Sequence, residues 1–325
     1  MEQSGMGSQP MKRRFFDAHC HLQDMRIFKQ AGRLIEEAGA VGVEKLAVNG
    51  CCEEDWSRVA TLHSQHPNQV VPSFGLHPWF LRTRSPSWLD ALRSALSRHP
   101  ESGLGEAGLD KSRSVLDHSP MSIQMEIFTE QLRLARTLGR PVSVHCVKAW
   151  GPMQKCLKEE GPFPEGVVLH SFNGPAEVVR DLVSVNAFFS ISLSILRIKL
   201  AKARAALEAI PLERLLLETD SPDAHYRCEP DSQWEGLIGG SIRSVEPEED
   251  DSASVGCETL VCCCSDSDPQ SALEPPRQGI RRALNHPANV SAVLKVVAEL
   301  TGRGEDAIAA ATFSNACKVF KLSEK

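Results

Sequence analysis

Residues 15–21 read Phe-Phe-Asp-Ala-His-Cys-His, an apolar run that ends in two histidines. The run predicts a buried β-strand over residues 14–19. Side chains alternate in an extended chain, so His19 and His21 project to the same side while Cys20 points away. Two imidazoles on one side of a strand end are a ready pair of metal ligands. The stretch therefore predicts a buried strand with a metal-binding carboxyl end.

The same pattern recurs along the chain, where short apolar runs alternate with segments of helical period. Eight strands are predicted, over residues 14–19, 43–48, 70–76, 103–106, 141–145, 166–170, 187–192 and 214–220. Helices are predicted between and after them, most clearly over residues 27–38, 121–138, 200–210 and 290–300. Strands that alternate with helices indicate parallel βα units. We predict an α/β fold, a (β/α)₈ barrel of the TIM type. The alternative, a doubly wound open sheet, would normally use fewer strands.

The domain organisation follows from the part of the chain that does not fit the barrel. Residues 15–220 and 279–322 together hold about 250 residues, the usual size of such a barrel. Residues 233–277 contain a glycine pair, the acidic run Glu246–Asp251 and three consecutive cysteines, a composition that buries little apolar surface. We predict a flexible N-terminus over residues 1–13 and a single barrel domain over residues 14–325. A long acidic, disordered insertion at about 233–277 is expected to interrupt it after strand 8.

The charge is distributed unevenly along the chain, and this distribution bears on the class of binding partner. Residues 229–275 hold 12 acidic residues and one basic residue, whereas the rest of the chain is mildly basic, with 35 basic and 30 acidic residues. A mildly basic body is compatible with nucleic-acid binding.

Eleven cysteines without a regular framework predict reduced thiols in the cytoplasm or nucleus. No membrane span and no secretory signal are expected, because apolar runs are short and residues 1–14 are polar.

Further polar residues close other predicted strands. Glu106 ends the fourth, His145 the fifth, His170 the sixth and Asp220 the eighth. Such groups are costly to bury unless they are paired or ligated, and in a closed parallel barrel all strand ends surround one opening. The predicted metal ligands are therefore His19, His21, Glu106, His145, His170 and Asp220. They suit two divalent cations, Mg²⁺, Mn²⁺ or Zn²⁺, with the first two histidines and the aspartate on one, the other histidines on the second, and the glutamate bridging.

The local words around these residues resemble the TatD deoxyribonucleases of the amidohydrolase superfamily. They are FDAHCHL (16–22), GLHP (75–78), GEAGLD (105–110), LHSFNG (169–174), ETDSP (218–222) and NHPAN (285–289). The resemblance covers residues 15–322 apart from the insertion and is closest to the plant-type branch of the family. It implies a metal-dependent DNase with 3′-to-5′ exonuclease activity and the same six metal ligands. It also implies the catalytic residues Asp220, which accepts a proton from the attacking water, Glu106, and His77, which contacts the substrate phosphate.

Aromatic and cationic residues follow three of the predicted strand ends. They are Trp79, Phe80, Arg82, Arg84, Lys111, Arg113, Lys148 and Trp150. Such a mixture suits stacking and phosphate contacts on DNA, single-stranded or at its ends, whereas the alternative is a solvated rim with both tryptophans packed on the barrel. Two other functions stay open. The same ligands could hydrolyse an amide, a lactone or a small phosphoester, or the chain could be a non-catalytic binding scaffold, which has no need of six ligands.

Overall fold

A parallel eight-stranded sheet forms the centre of the computed structural model, which describes residues 13–227, 232–247 and 283–324. Its strands are β1 Phe15–Cys20, β2 Val43–Asn49, β3 Val70–Phe74, β4 Gly103–Asp110, β5 Val142–Val147, β6 Val167–Leu169, β7 Ala187–Ile191 and β8 Leu215–Leu217. Each strand pairs with the next in sequence order. At the carboxyl ends of β8 and β1, the Asp220 N–H donates to the His19 carbonyl at 2.9 Å. The sheet is thus a nearly closed (β/α)₈ barrel, which confirms the predicted fold.

Helices surround the barrel, and the longer ones bury apolar side chains against the strands or against neighbouring helices. They are α1 Ala31–Ala40, α2 Trp56–Gln65, α3 Trp88–Arg98, α4 Arg113–Leu116, α5 Met121–Leu138, α6 Trp150–Glu160, α7 Ala176–Val183, α8 Leu200–Ala209, α9 Glu235–Ile238, α10 Val290–Thr301 and α11 Glu305–Val319. The predicted span of α5 is the observed one, and the helix ends at Gly139 with a φ of +62°, a conformation that glycine adopts without strain. Within the described residues, no helix combines the length and apolarity that a membrane crossing requires.

The amino end of the barrel is closed by apolar packing, which leaves the carboxyl end for polar groups. Phe16, Val168 and Phe188 belong to a buried cluster with Phe313 and Phe320 from the C-terminal region. The rings of Phe16 and Phe320 stack with their centroids 5.1 Å apart. A second, larger apolar cluster lies between the strands and the surrounding helices. The barrel is therefore a packed core with one polar end.

Strand β4 is longer than predicted and approaches β5 closely. It continues to Asp110, and Gly108 pairs with His145 in the ladder between the two strands. Gly108 has a φ of +154°, and a Cβ placed there would lie 2.0 Å from the His145 carbonyl oxygen. Only glycine fits this approach. The glycine-rich strand, which looked short in the sequence, thus brings the ends of β4 and β5 together.

The segment after β8 differs in part from its prediction as a disordered insertion. Trp234, Ile238 and Val245 are buried, and Ile238 lies in α9. A two-residue strand β9 (Ser244–Val245) pairs antiparallel with β10 (Leu284–Asn285). These few apolar side chains bury enough surface for residues 232–247 to pack against the barrel. The remainder of the predicted insertion, residues 248–277, and residues 1–12 of the predicted flexible N-terminus lie outside the described residues.

Candidate metal centre

All six predicted ligands, together with His77, meet at the polar carboxyl end of the barrel, and all are buried. Glu106 on β4 lies at their centre, and its two carboxylate oxygens face different groups of side chains. His19 and His21 contact Glu106 Oε2, and Asp220 lies beside both rings; these three residues are named here the Oε2 cluster. His77, His145 and His170 surround Glu106 Oε1 and are named the Oε1 cluster.

The Oε2 cluster combines two imidazoles with a second carboxylate. The Nε2 atoms of His19 and His21 lie 3.3 and 3.2 Å from Glu106 Oε2, and 3.1 Å from each other. Asp220 Oδ1 lies 3.6 Å from His21 Nε2 and 4.0 Å from His19 Nε2. Asp220 holds this position in a turn directly after β8, with a φ of +56° that is unusual for a residue with a Cβ.

The Oε1 cluster consists of three imidazoles around one oxygen. His170 Nε2 lies 2.8 Å, His145 Nδ1 2.9 Å and His77 Nε2 3.3 Å from Glu106 Oε1. His145 Nδ1 and His170 Nε2 are 3.1 Å apart. Nitrogen and oxygen atoms at these separations converge on points where one small cation could touch several of them.

The remaining ring nitrogens show whether these residues fit divalent cations. Four of the histidines direct their second nitrogen to an outer oxygen, and the pairs are His19 Nδ1 with Ser143 Oγ (2.9 Å), His21 Nδ1 with the Asn49 carbonyl (2.8 Å), His145 Nε2 with Asp110 Oδ2 (3.3 Å) and His170 Nδ1 with Glu218 Oε1 (3.5 Å). A carbonyl or carboxylate only accepts, so the nitrogen facing it carries the proton. In the neutral rings of His21 and His145 the inner nitrogen then has a free lone pair, as a metal ligand requires. His170 Nδ1 makes no hydrogen bond to Glu218 at 3.5 Å. The donor set fits divalent cations.

The pKa shifts show that protons bind to the same ring nitrogens that a cation would use. Burial alone lowers the pKa of a histidine, yet the Glu106 carboxylate raises the pKa of His21 to about 10. Asp110 and Glu106 together raise the pKa of His145 to about 9 against the same burial effect. Burial would raise the pKa of Glu106, but His170 and the other imidazoles hold it well below its usual range. Protons on the His21 and His145 rings thus balance the charge of the ionised Glu106 carboxylate where no cation is bound.

The pKa values of one acid and one imidazole of the centre shift in the opposite direction from those of Glu106 and His21. The pKa of Asp220 is raised whereas that of Glu106 is lowered, and the pKa of His19 is lowered whereas that of His21 is raised. Burial raises the pKa of Asp220 to about 7, although His170 and His21 oppose the shift. Burial and the neighbouring charge of His170 lower the pKa of His19 to about 4. A carboxylate whose pKa lies near neutrality can accept or release a proton at physiological pH.

His77 is bonded differently from the other four histidines. Its Nδ1 accepts a hydrogen bond from the Trp79 backbone N–H at 3.2 Å. The proton of the neutral ring therefore lies on Nε2, which points at Glu106 Oε1. Burial lowers the pKa of His77 to about 4, so the ring is neutral near pH 7. His77 is a hydrogen-bond donor towards the centre, whereas the neutral rings of His21 and His145 would offer lone pairs there.

Three residues near the centre were given no role from the sequence. Asp110 and Glu218 lie in the quoted words and contact His145 and His170 from outside. Their signal was a charged residue beside a predicted ligand at the end of a buried strand. Cys51 lies just beyond β2, with its sulfur 3.9 Å from Glu106 Oε2. Only the topology of the barrel shows that the end of β2 belongs to the site.

The predicted substrate-contact residues separate into packed aromatics and exposed cations. The Trp79 indole N–H donates to Asp110 Oδ2 at 2.7 Å, and the Trp150 ring packs edge-on against Phe172 with centroids 5.1 Å apart. Both tryptophans are therefore half-buried against the barrel. The exposed basic residues around the opening are Arg82, Lys111, Arg113 and Lys148, while Phe80 and Arg84 are half-buried.

The fold and the buried donor set are those of a barrel hydrolase that uses divalent metal ions. The family model described as TatD related DNase matches residues 16–321. The chain therefore belongs to the TatD family, and it is a metal-dependent hydrolase.

Individual relatives agree with this assignment. The chain is 30% identical over 207 residues to the uncharacterized metal-dependent hydrolase YabD of Bacillus subtilis, which covers 64% of this chain and 80% of YabD. It is 29% identical over 212 residues to the 3′-5′ ssDNA/RNA exonuclease TatD of Erwinia tasmaniensis, covering 64% of this chain and 79% of that protein. The crystal structure of YjjV, a TatD homologue of Escherichia coli, superposes with a TM-score of 0.72 at 25% identity, over 96% of this chain and all of YjjV.

Proposed function

We propose that this protein hydrolyses phosphodiester bonds in DNA and removes nucleotides from the 3′ end of a single strand. The observation that carries the proposal is the division of Glu106 between two clusters, with one carboxylate oxygen facing each. A single carboxylate between two sets of donors is the arrangement that holds two cations close enough to act on one phosphate.

The proposed ligands are the six predicted ones. His19, His21 and Asp220 would hold one cation, His145 and His170 the other, and Glu106 would bridge them. Mg²⁺, Mn²⁺ or Zn²⁺ bound there would lower the pKa of water and stabilise negative charge that develops on the phosphate oxygens.

The protein's own groups would move the proton and position the phosphate. Asp220 is the second carboxylate of the centre and lies 3.6 Å from His21 Nε2, so it would take a proton from the attacking water. His77 carries its proton on Nε2 and stays neutral, so it would donate a hydrogen bond to a substrate phosphate oxygen. Asp110 and Trp79 would hold His145 in the required orientation.

The substrate class is supported by the surface around the opening and by the relatives. Arg82, Lys111, Arg113 and Lys148 are exposed there and can neutralise phosphates along a strand. The family model is described as TatD related DNase, and the Erwinia relative is named a 3′-5′ ssDNA/RNA exonuclease. We also propose membership of the plant-type branch and a place in the cytoplasm or nucleus, where the six described cysteines, all free, would stay reduced.

The test is digestion of single-stranded DNA labelled at its 5′ end, with Mg²⁺ or Mn²⁺ present. A ladder that shortens from the 3′ end is expected. Glu106→Ala and His145→Ala should lower the rate on the order of 10³-fold, because each removes several kcal/mol of charge stabilisation. Glu126→Ala, an exposed glutamate on α5, is the matched control and should leave the rate unchanged. Intact DNA after incubation with cation-loaded wild type would overturn the proposal and direct the search to amides, lactones and small phosphoesters.

A further inference from the structure

Cys51 brings a thiol to the edge of the centre that the proposed ligand set does not use. Its sulfur lies 3.9 Å from Glu106 Oε2 and 3.7 Å from His21 Nδ1. Cys51, His21 and Glu106 form one of the groups of ligand-type side chains whose donor atoms lie within 4.8 Å of one another. The thiol thus approaches the bridging carboxylate from the side of the Oε2 cluster.

The backbone of Cys51 is fixed from both sides, so the thiol is held at this position. Its N–H donates to both carboxylate oxygens of buried Asp55, at 3.1 and 2.9 Å. Its carbonyl accepts a hydrogen bond from the His77 N–H at 2.9 Å. This second bond joins the loop after β2 to the residue that faces Glu106 Oε1. Only rotation about the Cα–Cβ bond moves the sulfur relative to the centre.

The distances suit a cation shared by the sulfur and the carboxylate. Zinc–sulfur bonds measure about 2.3 Å and zinc–oxygen bonds about 2.0–2.2 Å, so adjacent sulfur and oxygen ligands of a five-coordinate ion lie about 3.1–3.8 Å apart. The observed 3.9 Å between Cys51 Sγ and Glu106 Oε2 is within a small side-chain rotation of that separation. On binding, the thiol releases its proton to solvent and the sulfur lone pair forms the bond to the cation.

We infer that Cys51 is a further ligand of the cation in the Oε2 cluster and makes that position select Zn²⁺ over Mg²⁺ and Mn²⁺. Thiolate is a soft ligand that favours zinc, whereas magnesium and manganese favour oxygen. The inference rests on the proposed metal centre but not on the activity towards DNA.

The neighbouring Cys52 offers an internal control. It is also half-buried, and its N–H donates to Asp55 Oδ1 at 3.3 Å. Among the described residues, its thiol belongs to none of the groups that could hold a metal ion. Changes at Cys52 therefore alter the same loop without touching the centre.

The experiment is a Co²⁺ titration of wild type, Cys51→Ser and Cys52→Ser, followed by competition with Zn²⁺ and Mn²⁺. Wild type and Cys52→Ser should show a sulfur-to-cobalt charge-transfer band in the near ultraviolet, and Cys51→Ser should lack it. Zn²⁺ affinity should fall at least about tenfold in Cys51→Ser, while Mn²⁺ affinity stays within about twofold, because only the soft ligand is lost. Alkylation of wild type, read by peptide mass, should show Zn²⁺ protecting Cys51 but not Cys52.

Two results would overturn the inference in distinguishable ways. Wild type that binds Co²⁺ without the charge-transfer band, and alkylates equally at Cys51 with and without Zn²⁺, would exclude the thiol and leave the six-residue centre intact. Wild type that binds neither Co²⁺ nor Zn²⁺ would remove the metal centre itself, and this inference with it.

Discussion

The Oε2 and Oε1 clusters share one glutamate but place their negative charge differently. In the Oε2 cluster, Asp220 stands among the inner donor atoms, 3.6 Å from His21 Nε2. In the Oε1 cluster, the carboxylates lie one imidazole further out, with Asp110 behind His145 and Glu218 behind His170. Charge in direct contact attracts a cation more strongly than charge behind a ring. For the proposed pair of cations, this difference predicts unequal affinity, with tighter binding at the Oε2 cluster.

The largest expected effect comes from removing the element that the clusters share. Glu106→Gln keeps the side-chain shape but loses the charge, so both cation positions should weaken together. DNA cleavage should fall on the order of 10³-fold or more. Isothermal titration calorimetry with Mn²⁺ measures the binding, with Glu126→Gln as the control. Retention of either cation at wild-type affinity would mean that the carboxylate does not bridge.

Asp110→Asn should weaken cation binding at the Oε1 cluster alone, because Asp110 contacts His145 of that cluster. The amide loses the charge that orients the His145 ring, and such outer partners typically contribute 10–100-fold in metal affinity. The weaker of the two Mn²⁺ binding constants should fall by about this factor, and the tighter one should stay within about twofold. Equal weakening of both constants would show that the clusters are not separable as described.

The His77→Ala variant tests whether His77 donates a hydrogen bond to the centre or binds a cation. Since His77 presents an N–H to the centre, its loss should leave cation stoichiometry unchanged. Cleavage should slow by roughly 10–100-fold, the scale of one charge-assisted hydrogen bond of about 1.5–3 kcal/mol. Loss of a bound cation in this variant, measured by metal analysis after gel filtration, would place His77 among the ligands.

The mildest perturbation is a change of pH, which should alter Mn²⁺ affinity without changing any residue. The pKa of His21 is raised to about 10 and that of His145 to about 9, so in the metal-free protein both rings are protonated at pH 7. Each must release its proton to bind a cation, and affinity should therefore rise with pH, by up to about tenfold per unit for each proton. The rise should continue through pH 8. A plateau above about pH 6.5, the ordinary histidine pKa, would contradict these shifts.

The sequence predicted the features that depend on period and position along a strand. The eight strands were placed within a few residues of their observed bounds, and the six ligand candidates were identified because each closes an apolar run. Closure of the barrel then brings them together without further information. Strand β4 was predicted too short because its glycines, which permit close approach to β5, lower the apparent strand propensity.

Features that depend on contacts between distant segments could not be predicted in this way. The proton position on His77 follows from the Trp79 backbone N–H, and the place of Cys51 follows from its bonds to Asp55 and His77. Residues 233–247 were expected not to fold because they belong to a predicted insertion, residues 233–277, whose composition buries little apolar surface. The burial of Trp234 and Ile238 depends on surfaces that belong to the barrel.

We propose that Glu106 divides the carboxyl end of the barrel between two cations. Anomalous diffraction from crystals soaked in Mn²⁺ locates such cations. Two anomalous peaks are expected about 3.5–4 Å apart, one beside each oxygen of Glu106, with the peak at the Oε2 cluster appearing at the lower Mn²⁺ concentration. A single peak at saturating Mn²⁺, or two peaks on the same side of Glu106, would contradict it.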